Sequence, residues 1–414
     1  MFSTFRDAWK VQELRQRILF MLFILIVLRI GTKITVPGIN LAELSMQGDP
    51  TLYNIVTGGA FGTIFALGIG PYITSSIIMQ LLTVALPPLE QLSKEGEQGK
   101  KIINKYTKIL AIIFAFIQSA GQIYSLQYAF VHQTMWVYIV ATVSMMTGTI
   151  LIMWLGEKLT EKGIGNGTSF VIFANIVSNL PLAVNQFRVM VASGETGEYL
   201  KVALMLVLFI VLISFVILVQ DGERRIPVQY SKKMVGQQIY GGQSTFIPIK
   251  VNIAGVMSII FAISILQFPQ TISQFWRTPP EWLSKLVEIL NITSPIGSVL
   301  YIILIFCFTS FYTSFSFNPV EVAENMKKSG GFIPGIRPGK PTSEFIQNVV
   351  NKISMIGACS YSLIAIVPVL FEWLFKVNVG LGGTTLLIVT GVALEITKQL
   401  DAQLLMRNYK GFLG

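Results

Sequence analysis

Residues that could do covalent or proton chemistry are scarce in this chain. Its apolar stretches hold one acidic cluster, Glu395 followed by Lys398 and Asp401. Glu395 and Lys398 are three residues apart, a spacing at which side chains share a helix face and can pair. An ion pair near a helix end is the better reading, since such pairs usually serve structure. A proton-coupled transporter needs carboxylates or histidines facing a cavity inside the membrane, and this cluster is a poor candidate for that work. The only histidine, His132, lies in a short polar stretch. Cys307 and Cys359 sit in apolar segments with no His or second Cys nearby, which reads as buried, inert thiols. No spacing suits a metal. No Ser/His, paired Asp or zinc set of the kind a membrane protease uses is present. The expectation is a protein with no catalytic residues, no cofactor and no metal.

The chain offers instead a broken apolar stretch, Gly58 to Leu86, GGAFGTIFALGIGPYITSSIIMQLLTVAL. Glycines crowd its first half, and Pro71 removes a backbone donor and disfavours helix at Gly70. The pattern predicts a short, loose helix around Gly59 to Leu67, a break at Gly68 to Pro71, and a proper helix from Tyr72. Broken backbone at membrane depth survives only inside protein or beside a water-filled cavity. The stretch therefore belongs in the middle of a bundle, at a pore or a binding site. A re-entrant loop that only packs is the alternative.

The elements around it are membrane spans. The chain has 414 residues, 52% hydrophobic and 13% charged, with mean hydropathy +0.64. A soluble domain carries about 25% charge. Apolar runs of about 20 residues mark the spans: Ile18 to Ile34, Tyr72 to Leu86, Tyr106 to Tyr124, Met135 to Leu155, Thr168 to Phe187, Leu200 to Val219, Ile253 to Ile272, Ile296 to Phe317, Val349 to Phe375 and Thr384 to Met406. The fold expected is an all-α polytopic membrane protein with ten transmembrane helices. They divide as five and five, residues 1–187 and 188–414. An even count is compatible with inverted halves, although no repeat shows in the sequence and the seventh span lacks a matching break. Arg29 and Lys33 can snorkel at the far end of the first span.

The net charge of +10 reads as orientation and not as nucleic-acid binding. Lysines and arginines gather in alternate loops, and the loops between hold only Arg188, Arg277, Lys285 and Lys376. That bias puts both termini in the cytoplasm. Two of the basic loops, 220–252 and 318–343, are long and mix charge with Gly, Pro and aromatics. Loops of that length without strong structure of their own are usually functional. Ordinary solvated loops and a docking face for a large acidic partner or a ribosome both fit.

Isoleucines recur at helical spacing. Ile73 and Ile77 follow the break, and Ile172 and Ile176 follow GIGNG. Residues four apart share a helix face, but isoleucine is common in any membrane helix, so spacing alone does not single them out. A resemblance does. The stretches FRDAWKVQELRQRILFMLFILIVLRIG, IFALGIGPYITSSIIMQLL, MWLGEKLTEKGIGNGTSFVIFANIVS, GGQSTFIPIKVNIAGV, NPVEVAENMKKSGGFIPGIRPGKPT and GGTTLLIVTGVALEI spread over essentially the whole chain. With them the sequence resembles the SecY family, the central subunit of the bacterial protein-conducting channel.

The resemblance implies two inverted halves around an hourglass pore, with an apolar ring at the waist and a small plug helix beneath it. By position the ring falls on Ile73, Ile77, Ile172, Ile176, Ile260 and Ile388, and the plug on Gly59 to Leu67, including Phe61, Ile64 and Phe65. β-Branched side chains are stiff, an apolar constriction blocks ions by dewetting, and weak helix propensity suits a segment that must move. A lateral gate between the second and seventh helices is implied, where Gln80, Gln118 and Gln267 can supply polar contacts or ordinary interhelical hydrogen bonds. Arg337 in GIRPG matches the family's arginine for the SecA motor. Arg224, Arg225, Lys232, Lys233 and Lys340 join it as docking cations. The implied partners are SecE, SecG, SecA, the ribosome, unfolded secretory or membrane protein substrates and the lipid bilayer.

Three features depart from the family's pattern. Only FGT separates GGA from IFALG, about two residues fewer than usual, which implies a tighter plug tether. Ser258 stands where the family commonly has proline, which implies a straighter seventh helix. The chain stops at NYKGFLG, short of the usual basic tail. The expected function is translocation of unfolded polypeptide across the bacterial cytoplasmic membrane, with sideways release of apolar segments into lipid. The alternative is a secondary transporter with a solute site at the broken helix.

Overall fold

The computed structural model describes residues 2–40, 62–192, 196–230, 233–235, 238–240, 244–253, 255–276, 279–375 and 383–411. Apolar runs form long helices because each backbone polar group is then satisfied within its own segment. In chain order these are α1 (Phe2–Lys10), α2 (Gln12–Gly31), α3 (Gly70–Ala85), α4 (Pro87–Lys94), α5 (Glu97–Ser125), α6 (Met135–Lys162), α7 (Gly167–Ala192) and α8 (Thr196–Asp221). After strands β1 (Glu223–Tyr230), β2 (Lys233–Val235), β3 (Gln238–Tyr240) and β4 (Ser244–Lys250) come α9 (Met257–Ser273), α10 (Glu281–Leu290), α11 (Pro295–Ser316) and α12 (Pro319–Lys328). Strand β5 (Gly331–Phe332), α13 (Lys340–Phe375) and α14 (Gly383–Gly411) complete the chain.

Among the described residues, five helical stretches are long and apolar enough to cross a bilayer: Glu97–Ser125, Met135–Lys162, Glu198–Asp221, Pro295–Lys328 and Lys340–Leu374. Gly167–Ser178 and α9 are shorter apolar helices, and α3 meets α4 at a bend of 100°. The outer surface is apolar. Ile210 is 66% exposed and Leu218 71% exposed on α8, the reverse of a water-soluble helix and the pattern of a lipid-facing one.

Packing repeats along the chain. In the first set α3 lies on α5, α5 on α6, α6 on α7, and α2 on α6 and α7. In the second set α9 lies on α11, α11 on α13, α13 on α14, and α8 on α13 and α14. Each set has its own core. Met21, Leu28, Ile152 and Val171 anchor the first, and Val216, Ile259, Ile305 and Leu387 the second. Small residues line one face of α5, which buries Thr107, Ala111, Ala115 and Ser119 at four-residue spacing. Such a stripe lets two backbones approach closely.

Local sequence sets the helix starts. Asn318 Oδ1 accepts hydrogen bonds from the Val320 and Glu321 backbone N–H groups at 3.2 and 3.4 Å, with Pro319 at the first helical position. Ser294 Oγ accepts from Gly297 N at 3.0 Å ahead of α11. Asn166 Oδ1 accepts from Thr168 N and Ser169 N ahead of α7. All three are N-caps.

Several sequence expectations change. Pro71 does not break the second span but lies in the first turn of α3, where its missing N–H costs no hydrogen bond. Residues 62–69 form successive turns and not a helix, and residues 59–61 lie outside the described residues. The seventh span begins at Met257, not Ile253, and a break does precede it, at Gly255 with φ +61°. Ser258 is in the first turn of α9, where proline is also tolerated; Pro269 lies farther inside. Cys307 and Cys359 are exposed, because their helix positions face outward. Lys398 pairs with Asp221 at 2.6 Å instead of with Glu395, because α8 ends beside α14.

The two long loops are also more ordered than expected. β1 pairs antiparallel with β4 from Glu223↔Lys250 to Gln229↔Ser244. β5, from the second loop, joins β1 at Gln229↔Phe332. A shared core of Ile226, Val228, Ile249, Met326, Ile333 and Ile346 binds this sheet to α12 and to the start of α13. Both loops therefore form one head on one end of the bundle.

Candidate functional site

A cavity of about 830 Å³ opens between the two helix sets. Six helices contribute to its wall, and four of them each place one isoleucine there: Ile73 from α3, Ile172 from α7, Ile260 from α9 and Ile388 from α14. Toward the sheet end the walls turn polar, with Gln80, Asn166, Gln220, Lys250, Glu395 and Lys398. On α14 the lining runs from Ile388 to Ala402, about 21 Å of helix at 1.5 Å per residue. The chemistry is that of a wet vestibule ending on stiff apolar side chains.

The remaining two isoleucines, Ile77 and Ile176, lie one turn along the same helices and are buried. Ile77 packs with Val216, Ile259 and Leu387, so a side chain of α3 completes the second core. Ile73 touches both cores. This pair is one of the places where the two sets meet, beside the packing of α7 on α8 and α14.

Of the residues expected in the plug, Gly59 and Phe61 lie outside the described residues. Ile64, Phe65 and Leu67 are on the turns that lead into α3. Phe65 and Leu67 are buried. Ile64 N donates to Ile34 O at 3.0 Å, and Val36 N to Gly62 O at 2.9 Å. A Cβ at Gly31 would come within 1.8 Å of the Phe65 ring, and one at Gly148 within 1.9 Å of Ile64 O. Two glycines thus admit this segment between α2 and α6. None of the three side chains lines the cavity.

Between the sets α5 touches α9. A Cβ at Gly121 would come within 2.9 Å of the Phe275 ring, so the contact is close. Gln80, Gln118 and Gln267 are all half-buried. Gln80 lines the cavity and donates to Ser76 Oγ at 3.4 Å on its own helix; Gln118 and Gln267 do not line it. Sequence reasoning missed Gln122, which is 1% exposed with neither amide atom hydrogen-bonded among the described residues. Its signal was a polar residue in an apolar run, four positions after Gln118. It also missed Gln220, at the end of α8.

On the head, Arg224 and Arg225 lie on β1. Arg225 bonds Glu223 at 2.7 Å and stands 4.8 Å over the Phe246 ring, which holds it in place. Lys233 lies on β2, and Lys232 lies outside the described residues. Arg337 is exposed on a turn between Gly335 and Gly339, at φ +83° and +104°. Thr342 Oγ1 donates to the Arg337 carbonyl at 2.8 Å, fixing the turn's backbone while the guanidinium stays free to reach outward. Lys340 is exposed 4.0 Å from Glu344.

Comparison with known proteins agrees with this architecture. The SecY family model matches residues 63–397. The protein translocase subunit SecY of Streptomyces galbus is 41% identical over 440 residues, covering all of both chains. That of Aquifex aeolicus is 40% identical, covering 99% of this chain and 98% of its own. Among solved structures, a protein-conducting channel superposes with TM-score 0.70 at 17% identity, covering 94% of this chain and 92% of that one. Sec61 from a canine ribosome-channel complex gives TM-score 0.67 at 17% identity and the same coverage. A full-length match to translocase subunits, on a helix bundle with a vestibule between two repeated sets, places this chain in the SecY family.

Proposed function

We propose that this SecY-family channel subunit passes unfolded polypeptide through the vestibule and between the isoleucines at its end. The observation that carries this reading is the convergence of Ile73, Ile172, Ile260 and Ile388, from four helices, on one cavity with polar walls. An apolar collar sheds water and so blocks ions. It also grips no particular sequence, which suits a pore that accepts many cargoes. Ile77 and Ile176 complete the collar when the helices shift. The glycine-rich segment ending at Leu67 is the plug, and the turns from 62 to 69 are its anchored end.

The two sets, residues 1–187 and 188–414, act as halves of a clamshell. The seam between α3 and α9 opens to release apolar segments into lipid, with Gln80, Gln118 and Gln267 along it. The protein does no covalent chemistry itself. SecA hydrolysing ATP, or a translating ribosome, supplies the energy by docking on the head through Arg224, Arg225, Lys232, Lys233, Arg337 and Lys340. SecE and SecG are the small membrane partners. The basic head faces the cytoplasm, with both termini, in the bacterial cytoplasmic membrane.

The test is reconstitution with SecE and SecG in proteoliposomes. With SecA, ATP and an unfolded secretory precursor, the precursor should become protected from added protease. Full digestion of the precursor would overturn the reading, and uptake of a small solute in the same vesicles would support a transporter instead.

A further inference from the structure

The stem of the head is fastened to the cavity wall at several points. Gln220, the penultimate residue of α8, is buried, and its Nε2 donates to Leu387 O at 3.4 Å. Leu387 precedes the cavity isoleucine Ile388. A Cβ on Gly391 would come within 2.9 Å of Gln220 Nε2, so Gly391 makes room for the amide. The next residue, Asp221, pairs with Lys398 of the same α14 at 2.6 Å. Across the stem, Val251 N donates to Gly222 O at 2.8 Å. Asn252 Oδ1 accepts from the buried Tyr361 hydroxyl of α13. Left-handed Gly255 then leads into α9, which carries Ile260.

We propose that Gln220 and Asp221 are positioning residues that clamp α14 to the head, so that Ile388 moves with the sheet. α8 ends at Asp221 and β1 begins at Glu223, so one residue separates clamp from sheet. Among the described residues no such clamp holds the start of α9; Gly255 interrupts the chain between Asn252 and the helix. Displacing the head therefore carries Ile388 directly, while Ile260 follows through a hinge. The proposal rests on the pore reading above.

The experiment measures resting ion conductance of the reconstituted channel, with SecE and SecG and without motor, in planar bilayers. Gln220→Leu removes the donor and leaves an apolar side chain one atom shorter. It should raise the open fraction about three- to tenfold, the effect of losing one hydrogen bond on a two-state balance. Asp221→Lys should also raise it, and adding Lys398→Asp should bring it back, which a merely structural role of either residue does not predict. Unchanged conductance in Gln220→Leu, or a double variant no tighter than Asp221→Lys alone, would overturn the clamp. Ile388→Asn is run beside them. If it leaks while the clamp variants do not, the clamp is wrong and the pore reading stands. If it also stays tight, both are overturned.

Discussion

Gly68 and Gly255 hold the same place before two different helices. Each lies two residues ahead of a cavity-lining helix, α3 starting at Gly70 and α9 at Met257, and each is left-handed, at φ +55° and +61°. An added Cβ would meet only Asn175 Nδ2 in the first case and Asn252 Oδ1 in the second, both at 3.8 Å. Space is open at both positions, so backbone conformation alone calls for glycine. The two sets thus break at matching points, each just before a helix that lines the cavity.

Gly68→Ala and Gly255→Ala should each destabilise the fold by about 1–2 kcal/mol, the cost of a left-handed alanine. Thermal unfolding of the purified protein checks this. A melting temperature equal to wild type in both would contradict it.

Ile388→Asn and Ile77→Asn should behave differently. Ile388 faces the cavity, where asparagine finds water, so resting conductance should rise with little loss of stability. Ile77 is 5% exposed in the second core, so asparagine there should also cost about 1–3 kcal/mol for a buried, unpaired amide. Conductance and thermal unfolding of both variants separate the two effects. Equal stability losses would contradict the assignment.

Gly148→Ala should displace the segment before α3. The added Cβ would meet a backbone atom, 1.9 Å from Ile64 O, and the clash cannot be relieved by a rotamer change. A loss of about 1–3 kcal/mol is expected, as for overpacking, together with a raised ion leak. Gly156→Ala on the same helix meets nothing closer than 3.8 Å. It should be neutral or stabilising by up to about 1 kcal/mol. A Gly148→Ala channel as stable and tight as wild type would contradict the account.

Arg337→Glu should leave folding intact, because the side chain is exposed at a turn. Motor-driven transport should fall at least about tenfold, as charge reversal turns attraction into repulsion. Precursor protection in SecA-driven proteoliposomes measures it. Unchanged transport would remove Arg337 from the docking surface.

Much of the bundle was legible in hydropathy, because a span must satisfy its own backbone and show apolar side chains to lipid. The start of α3 was legible to within two residues, although Pro71 proved to begin the helix and not to break it. The head was not legible. Its strands pair across distant sequence, Glu223 with Lys250 and Gln229 with Phe332, and no local pattern encodes such partners. Lys398 misled for the same reason: Glu395 lies three residues away on the same helix, but Asp221 reaches it from another helix. Cys307 and Cys359 misled because apolar sequence does not say whether a position faces protein or lipid. The isoleucines could not be separated from ordinary span residues by spacing. Four of them became distinct once the helices met around one cavity.

The central claim is that polypeptide passes between these isoleucines, and a stalled cargo tests it most directly. Cys307 and Cys359 are first replaced by serine. Single cysteines are then placed at Ile73, Ile172, Ile260 and Ile388, with Val299, exposed on the outer surface of α11, as control. A secretory chain carrying one cysteine is halted midway through the reconstituted channel and oxidised. The account predicts disulfides to all four cavity positions and none to 299; crosslinks to 299 without any to the four would contradict it.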